Sequence, residues 1–218
     1  MSYPINYPTP QGANIQYFYA GGQTDWVKPQ GASFVWFTLI GAGGGGDGST
    51  TGGGSGAVTN CMVPAFLIPD SLQISVGLGG AVGANGGQTS VQYYNKAQYV
   101  LLTANLGAVT GSAGTASTSN FFSCMGFFQS IAGQNGTGSN NTASATTFLS
   151  GGSGNVSATS ANYGYSTDAV VGNGFFQMQP IIVGVGSGGS SQTGQGGIGC
   201  GGVLNGAGGN GLVVIITW

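Results

Sequence analysis

Phe34-Val35-Trp36-Phe37-Thr38-Leu39-Ile40-Gly41-Ala42-Gly43-Gly44-Gly45-Gly46 is the stretch on which the fold turns. Six of its first seven residues are aromatic, β-branched aliphatic or leucine, with no alternation, which predicts a strand buried on both faces. The next six carry nothing larger than a methyl group, so side-chain packing stops where the strand stops. The same succession recurs along the chain. Leu72, Ile74, Val76 and Leu78 alternate with polar or small residues and run into Gly79-Gly80. Ile181-Ile182-Val183 enters the tract 184–189, and the tract 194–211 enters Leu212-Val213-Val214-Ile215-Ile216-Thr217-Trp218. A strand as apolar as this last one is a poor open edge, so it is expected to pair centrally, beside Phe34 to Ile40.

No glycine-free window repeats apolar residues every 3.6 positions, and a glycine inside a helix costs about 1 kcal/mol against alanine. Residues 88–106, rich in tyrosine and valine, suit strands better. The predicted class is all-β with glycine-rich polyproline-II-like segments: short strands bracketing a packed glycine-rich bundle, with little or no helix.

Of 218 residues, 47 are glycine, roughly three times the usual share of about 7%. Charged residues make up 3%: Lys28, Lys96, Asp25, Asp47, Asp70 and Asp168, with no histidine. Nucleic-acid binding draws most of its affinity from lysine and arginine, so it is excluded as a function class. Acid–base catalysis has few actors, since no two acids are neighbours, and an enzyme is not expected; Asp168 and Cys124 are the least implausible groups. No apolar run approaches the 18 or more residues of a membrane helix, and no signal peptide is visible, so membrane insertion is not expected. Hydrophobic residues at 40% and aromatics at 11% argue against disorder.

Cys61, Cys124 and Cys200 lie too far apart for a metal signature and are read as small buried apolar residues; whether any pair is left open. No Asp-x-Asp spacing supports calcium, and no metal or cofactor is expected. The triplets beginning at Asn135, Asn140 and Asn155 match the glycosylation pattern no more often than chance supplies in a chain this rich in serine and threonine.

Flexible linker is the plainest reading of glycine tracts. The spacing opposes it. Gly77, Gly80, Gly83 and Gly86 fall three apart, as do Gly196, Gly199 and Gly202. Three residues per turn is the period of polyproline II, which has no internal hydrogen bonds, and glycine along one edge lets neighbouring helices bond backbone to backbone. Pro4, Pro8 and Pro10 make the opening an extended arm, read as residues 1–22. The domain proper is read as 23–218, with polar inserts at about 107–147 and 153–179.

Trp26-Val27-Lys28-Pro29-Gln30-Gly31, the strand to Ile40 and its glycine turn resemble the opening of the glycine-rich domain of bacteriophage tail-fibre adhesins and related virion proteins. Later elements follow in the same order: Ile74-Ser75-Val76-Gly77-Leu78-Gly79-Gly80, Gly86-Gly87-Gln88-Thr89-Ser90, and Gly208-Gly209-Asn210-Gly211-Leu212-Val213-Val214-Ile215. The resemblance spans roughly residues 23 to 218. It implies a virion protein, made in the host cytoplasm, whose glycine-rich helices pack as a polyglycine II bundle and display intervening segments for host-receptor binding. The long inserts and the near absence of charge depart from that pattern and leave the ligand open.

Within the inserts, Phe121-Phe122, Phe127-Phe128, Tyr163, Tyr165, Phe175 and Phe176 sit among serine, threonine, asparagine and glycine. Rings beside neutral hydroxyls and amides suit a host glycan or protein surface, and Tyr163, Tyr165, Phe175 and Phe176 are the ligand-binding candidates. Paired phenylalanines also suit a core or a subunit interface. Three functions compete: a tail-fibre-like adhesin; a minor capsid or other virion scaffold binding neighbouring subunits through its N-terminal arm; and an ice-binding or extracellular matrix protein. Other virion proteins are the expected partners, and oligomerisation is left open.

Overall fold

A computed structural model of the chain describes residues 13–93, 96–117, 127–133, 135–136, 199, 201–202 and 205–218. Among the described residues, nine strands form two antiparallel sheets, and one 3-10 turn at Ala65–Leu67 is the helical content. The first sheet has the order β1 (Asn14–Tyr19), β9 (Leu212–Thr217), β3 (Phe34–Ile40), β4 (Val58–Pro64), β8 (Phe127–Ile131). The second has the order β2 (Gln23–Val27), β5 (Ser71–Ser75), β6 (Thr89–Tyr93), β7 (Lys96–Ala104).

β3 behaves as its composition demands: Val35 to Ile40 are all buried. β9 lies between β1 and β3, with Ile40 opposite Leu212 and Val35 opposite Thr217, so the closing strand is central. One core fills the space between the sheets. Val35, Phe37, Leu39, Cys61, Val63, Val213 and Ile215 of the first sheet face Trp26, Leu72, Ile74, Val91, Leu102 and Ala104 of the second. Trp26 meets Phe37 edge-on across the gap, centroids 6.1 Å apart. Burying each such side chain contributes about 1.5–3 kcal/mol.

Two boundaries differ from the sequence reading. The arm read as 1–22 is shorter among the described residues, because Asn14–Tyr19 is a full strand hydrogen-bonded along β9. Within residues 1–22 the last proline is Pro10, and Ile15, Tyr17, Phe18 and Tyr19 have the aromatic and branched side chains a sheet accepts. The stretch read as a polar insert at 107–147 supplies β8, where Phe127 stacks on Trp36 at 5.5 Å and Phe128 packs against the core.

Beyond the strand ends, the sheets continue into glycine. Ile40 stands opposite Val58, and the pairing runs on as Gly41 N–H to Ala57 O (2.9 Å) and Gly44 N–H to Gly54 O (2.9 Å). Ile40 also stands opposite Leu212, and that register continues as Gly43 N–H to Gly209 O and Gly46 N–H to Gly206 O. The step is now three residues. The remaining amides, Ala42 and Gly45, donate to Gly87 O and Ala84 O, which continue from the other sheet. Packed sheets normally stay about 10 Å apart because side chains fill the space between them. Here the side chains end at Ile40, so the two layers close into one hydrogen-bonded lattice.

Residues 41–46 are its hub. Their amides donate in rotation to three segments, 54–57, 84–87 and 206–209. Their carbonyls accept from three more: Ala42 O from Gly107, Gly43 O and Gly46 O from Gly80 and Gly83, and Gly44 O from Gly202. Such rotation by thirds is the symmetry of packed polyproline-II helices, each with three residues per turn. A Cβ at Gly44, Gly45, Gly53, Gly56 or Gly208 would fall well inside 3.0 Å of a neighbouring backbone atom.

Candidate functional site: the tip of the glycine bundle

Three excursions into glycine turn, among the described residues, at the far end of the bundle. The first turn is built around Asp47. Its Oδ1 accepts from the amides of Ser49 (2.7 Å), Thr50 (2.7 Å) and Thr51 (2.9 Å), and its Oδ2 from the Thr50 hydroxyl (2.7 Å). These donors, the Thr51 and Ser49 amides foremost, hold the exposed carboxyl well below its ordinary range. Both of its oxygens accept within the turn, and no cluster of three or more acids, cysteines or histidines exists among the described residues. The arrangement is a turn lock.

The second turn, 81–84, closes with Ala84 N–H to Ala81 O, and the third, 108–111, with Gly111 N–H to Ala108 O. Gly48, Gly83 and Gly111 take φ of 80°, 78° and 81°, the left-handed region that glycine enters without strain. The turns converge. A methyl group placed on Gly48 would lie 3.7 Å from Val82 Cγ1 and 3.8 Å from Asn205 Oδ1, and one on Gly111 would touch Thr51. Ser49, Thr50, Val82, Ala84, Asn85, Thr110, Ser112 and Asn205 are exposed there. Asp47 is the one charged side chain among the described residues of this surface, which is otherwise hydroxyl, amide and small apolar groups on a scaffold almost free of side chains.

The opposite end of the molecule has another character. Phe34 stacks on Trp218 (6.0 Å), Phe66 is 82% exposed, and Val27 is also exposed. Lys28 Nζ donates to Ala65 O and Ile68 O, 3.0 Å each, and pairs with Asp70 at 2.9 Å. Asn14, where the described chain enters its first strand, stands opposite Thr217 at this same end.

Tyr163, Tyr165, Phe175, Phe176, Gly196, Cys124, Cys200 and Asp168 lie outside the described residues. Among the glycines singled out by spacing, Gly77, Gly80, Gly86 and Gly202 occupy positions where a Cβ would strike neighbouring backbone. Gly83 and Gly199 are different: both have positive φ, 78° and 70°, and a Cβ on Gly83 would meet open space. Equal spacing in sequence therefore covers two roles, close approach and left-handed turning. Cys61 is buried with a free thiol.

A feature not singled out by spacing is the doublet Asn-Gly. Asn85 Oδ1 accepts from Val109 N–H (2.9 Å) while Gly86 N–H donates to Gly107 O (3.0 Å). Asn135 Oδ1 accepts from Ala113 N–H (2.9 Å) while Gly136 N–H donates to Gly111 O (2.6 Å). Asn210 Oδ1 accepts from Gly79 N–H (2.8 Å) while Gly211 N–H donates to Gly77 O (2.9 Å). The offset is the same each time: the glycine amide binds one carbonyl, and the asparagine oxygen binds the amide two residues further on. A side chain here acts as a substitute backbone acceptor, clasping two segments at two points. The recurrence of Asn-Gly in the sequence is the signal that could have revealed it.

No protein-family model matches the chain, and no curated protein sequence matches it.

Proposed function

We propose that this protein is a virion structural and surface protein that displays recognition loops on a glycine-rich scaffold, a tail-fibre-like adhesin that binds the host receptor. The observation that carries the reading is the tip: converging turns of neutral hydroxyl and amide groups, held by a lattice in which backbone bonds to backbone. A scaffold without long side chains loses little side-chain entropy on ordering, and it holds short loops in fixed positions, which lowers the cost of binding. Neutral donors and acceptors with one carboxylate suit a glycan or an uncharged protein surface. The resemblance of the strand-to-glycine series to adhesin domains points the same way.

The test is adsorption. Ser49→Trp and Thr110→Lys place bulk or charge on the tip at exposed side chains, and Phe66→Lys changes the opposite end. The tip variants should lose binding of the purified protein to host cells while keeping their unfolding midpoint, and Phe66→Lys should keep binding. Retention of full binding by both tip variants would sink the proposal.

A second reading, a minor capsid or other virion scaffold, is favoured by the exposed Phe34, Phe66 and Val27 beside the entry of the chain at Asn14. Under it, Phe66→Lys and removal of residues 1–12 would stop incorporation into particles and the tip variants would not.

A further inference from the structure

We infer that Asn205-Gly206 is a site of spontaneous covalent modification: the asparagine cyclises on the following glycine and opens to aspartate or isoaspartate, while the clasped Asn-Gly doublets of the same bundle are held intact. The ground is the contrast among the four Asn-Gly doublets of the described residues, which share the same reacting pair; a fifth, Asn173-Gly174, lies outside them. In three of them both reacting groups are occupied: the side-chain amide oxygen of Asn85, Asn135 and Asn210 accepts a lattice hydrogen bond, and the N–H of the next glycine donates one. At the fourth, Asn205 Oδ1 accepts no hydrogen bond from the described residues, while Gly206 is buried at the end of the turn and its carbonyl accepts from Gly46. Asn205 is exposed and sits in a turn at the tip.

The reaction needs the Gly206 nitrogen to reach Asn205 Cγ. A new N–Cγ bond forms as the Cγ–Nδ2 bond breaks, and the side-chain nitrogen leaves as ammonia with the proton formerly on the Gly206 amide. Water then adds to either carbonyl of the five-membered imide. One opening restores the ordinary backbone with an aspartate side chain, and the other leaves an isoaspartate linkage. Glycine at the second position offers no side chain to block the attack and lets the backbone rotate into it. The clasp opposes both requirements. It pulls the asparagine oxygen toward the next segment and keeps the glycine amide in a hydrogen bond, so cyclisation at Asn85, Asn135 or Asn210 requires that part of the lattice to open first.

The consequence falls on the tip. The product adds a carboxylate beside Gly48, next to the Asp47 turn, on a surface whose described residues otherwise carry one charge. The inference stands apart from the adhesin proposal, because it concerns bond chemistry set by the lattice whatever the tip binds.

The experiment is site-resolved peptide mass spectrometry on purified protein aged at mildly alkaline pH, run in parallel on protein unfolded in denaturant. In the native protein, Asn205 should convert at least about tenfold faster than Asn85, Asn135 and Asn210, since local opening governs the protected sites. On unfolding, the four sites should converge to similar rates. Asn205→Gln should abolish the native-state product at this site without moving the unfolding midpoint. An intact Asn205 in aged native protein, or native rates at the clasped sites equal to that at Asn205, would overturn the inference. So would a rate difference that persists in denaturant, since it would place the cause in local sequence and not in the lattice.

Discussion

Gly80 and Gly83 stand three residues apart in the same glycine run, and replacing each by alanine should have very different costs. A Cβ on Gly80 would lie 2.8 Å from both the carbonyl carbon and oxygen of Asn85, and nearer still to Ala84 O. These are backbone atoms that cannot rotate away. Moving them aside would disturb the Gly45 N–H to Ala84 O bond and the Asn85 clasp, while moving residue 80 would break its own bonds to Gly43 O (2.9 Å) and from Gly208 N–H (2.8 Å). Overpacking costs about 1–3 kcal/mol. Two weakened hydrogen bonds cost about 1 kcal/mol each. Gly80→Ala should therefore lose about 3–5 kcal/mol, a large share of the roughly 5–15 kcal/mol that holds a domain together. At Gly83 nothing lies within 4 Å of the added methyl, and the cost is that of an L-residue at φ 78°, about 1–2 kcal/mol. Urea unfolding followed by fluorescence of the buried Trp26 and Trp36 reads the difference. With a slope of about 2 kcal/mol per molar, the Gly80→Ala midpoint should fall about 0.5–2 M below that of Gly83→Ala. Equal midpoints would refute the claim that glycine is present for close backbone approach.

Thr89 joins the sheets to the lattice: its fully buried hydroxyl donates to Ile40 O (2.8 Å) and accepts from Gly77 N–H (3.1 Å). Thr89→Val should cost about 2–4 kcal/mol by leaving both groups unpaired, whereas Thr89→Ser should cost about 1 kcal/mol, a comparison that urea midpoints decide. Burial pushes the Cys61 thiol up to about 12 from an ordinary 9.0, so the folded chain favours the protonated form. That contribution is whole below pH 9 and is lost as pH rises from there toward 12; in a Cys124→Ser, Cys200→Ser background a thiol reagent at pH 9 should label Cys61 only on unfolding. The Asp47 carboxyl is depressed, so the turn keeps its full stabilisation above the ordinary value of 3.8 and loses it as pH falls below that through the folded value. An NMR titration of that carboxyl should show it still ionised at pH 3.8, and a midpoint at or above 3.8 would contradict the hydrogen-bonded turn.

Much of the sheet architecture was legible because it is written in side chains. The uninterrupted bulk of Phe34 to Ile40 can be satisfied only by burial on both faces, and the apolar closing run only by a place inside a sheet. The tip was much less so. Nothing in the sequence singled out Asp47, and its role follows from three amides that only the folded turn directs at it. Phe127 and Phe128, set among polar neighbours in sequence, suited a core, a subunit interface or a recognition surface alike, and only the fold places them beside Trp36 and the core between the sheets. Gly80 and Gly83 are the same letter at the same spacing, and the sequence holds no sign that one abuts backbone and the other turns.

By itself, then, the sequence determined where strands form and where side chains cease, since burial and steric bulk are properties of each residue type. It determined also that backbone groups would have to supply the cohesion, because 3% charge leaves few salt bridges to do so. Only the tertiary structure decided which glycine segment lies beside which. Every residue but proline presents the same N–H and C=O, so a tract such as Gly43-Gly44-Gly45-Gly46 carries no code for its partners. The strand order of the two sheets supplies that code. β4 and β9 flank β3, so the segments that continue them, 54–57 and 206–209, flank residues 41–46. Where the side chains that hold two sheets apart come to an end, the second sheet can close on the first and complete the hub.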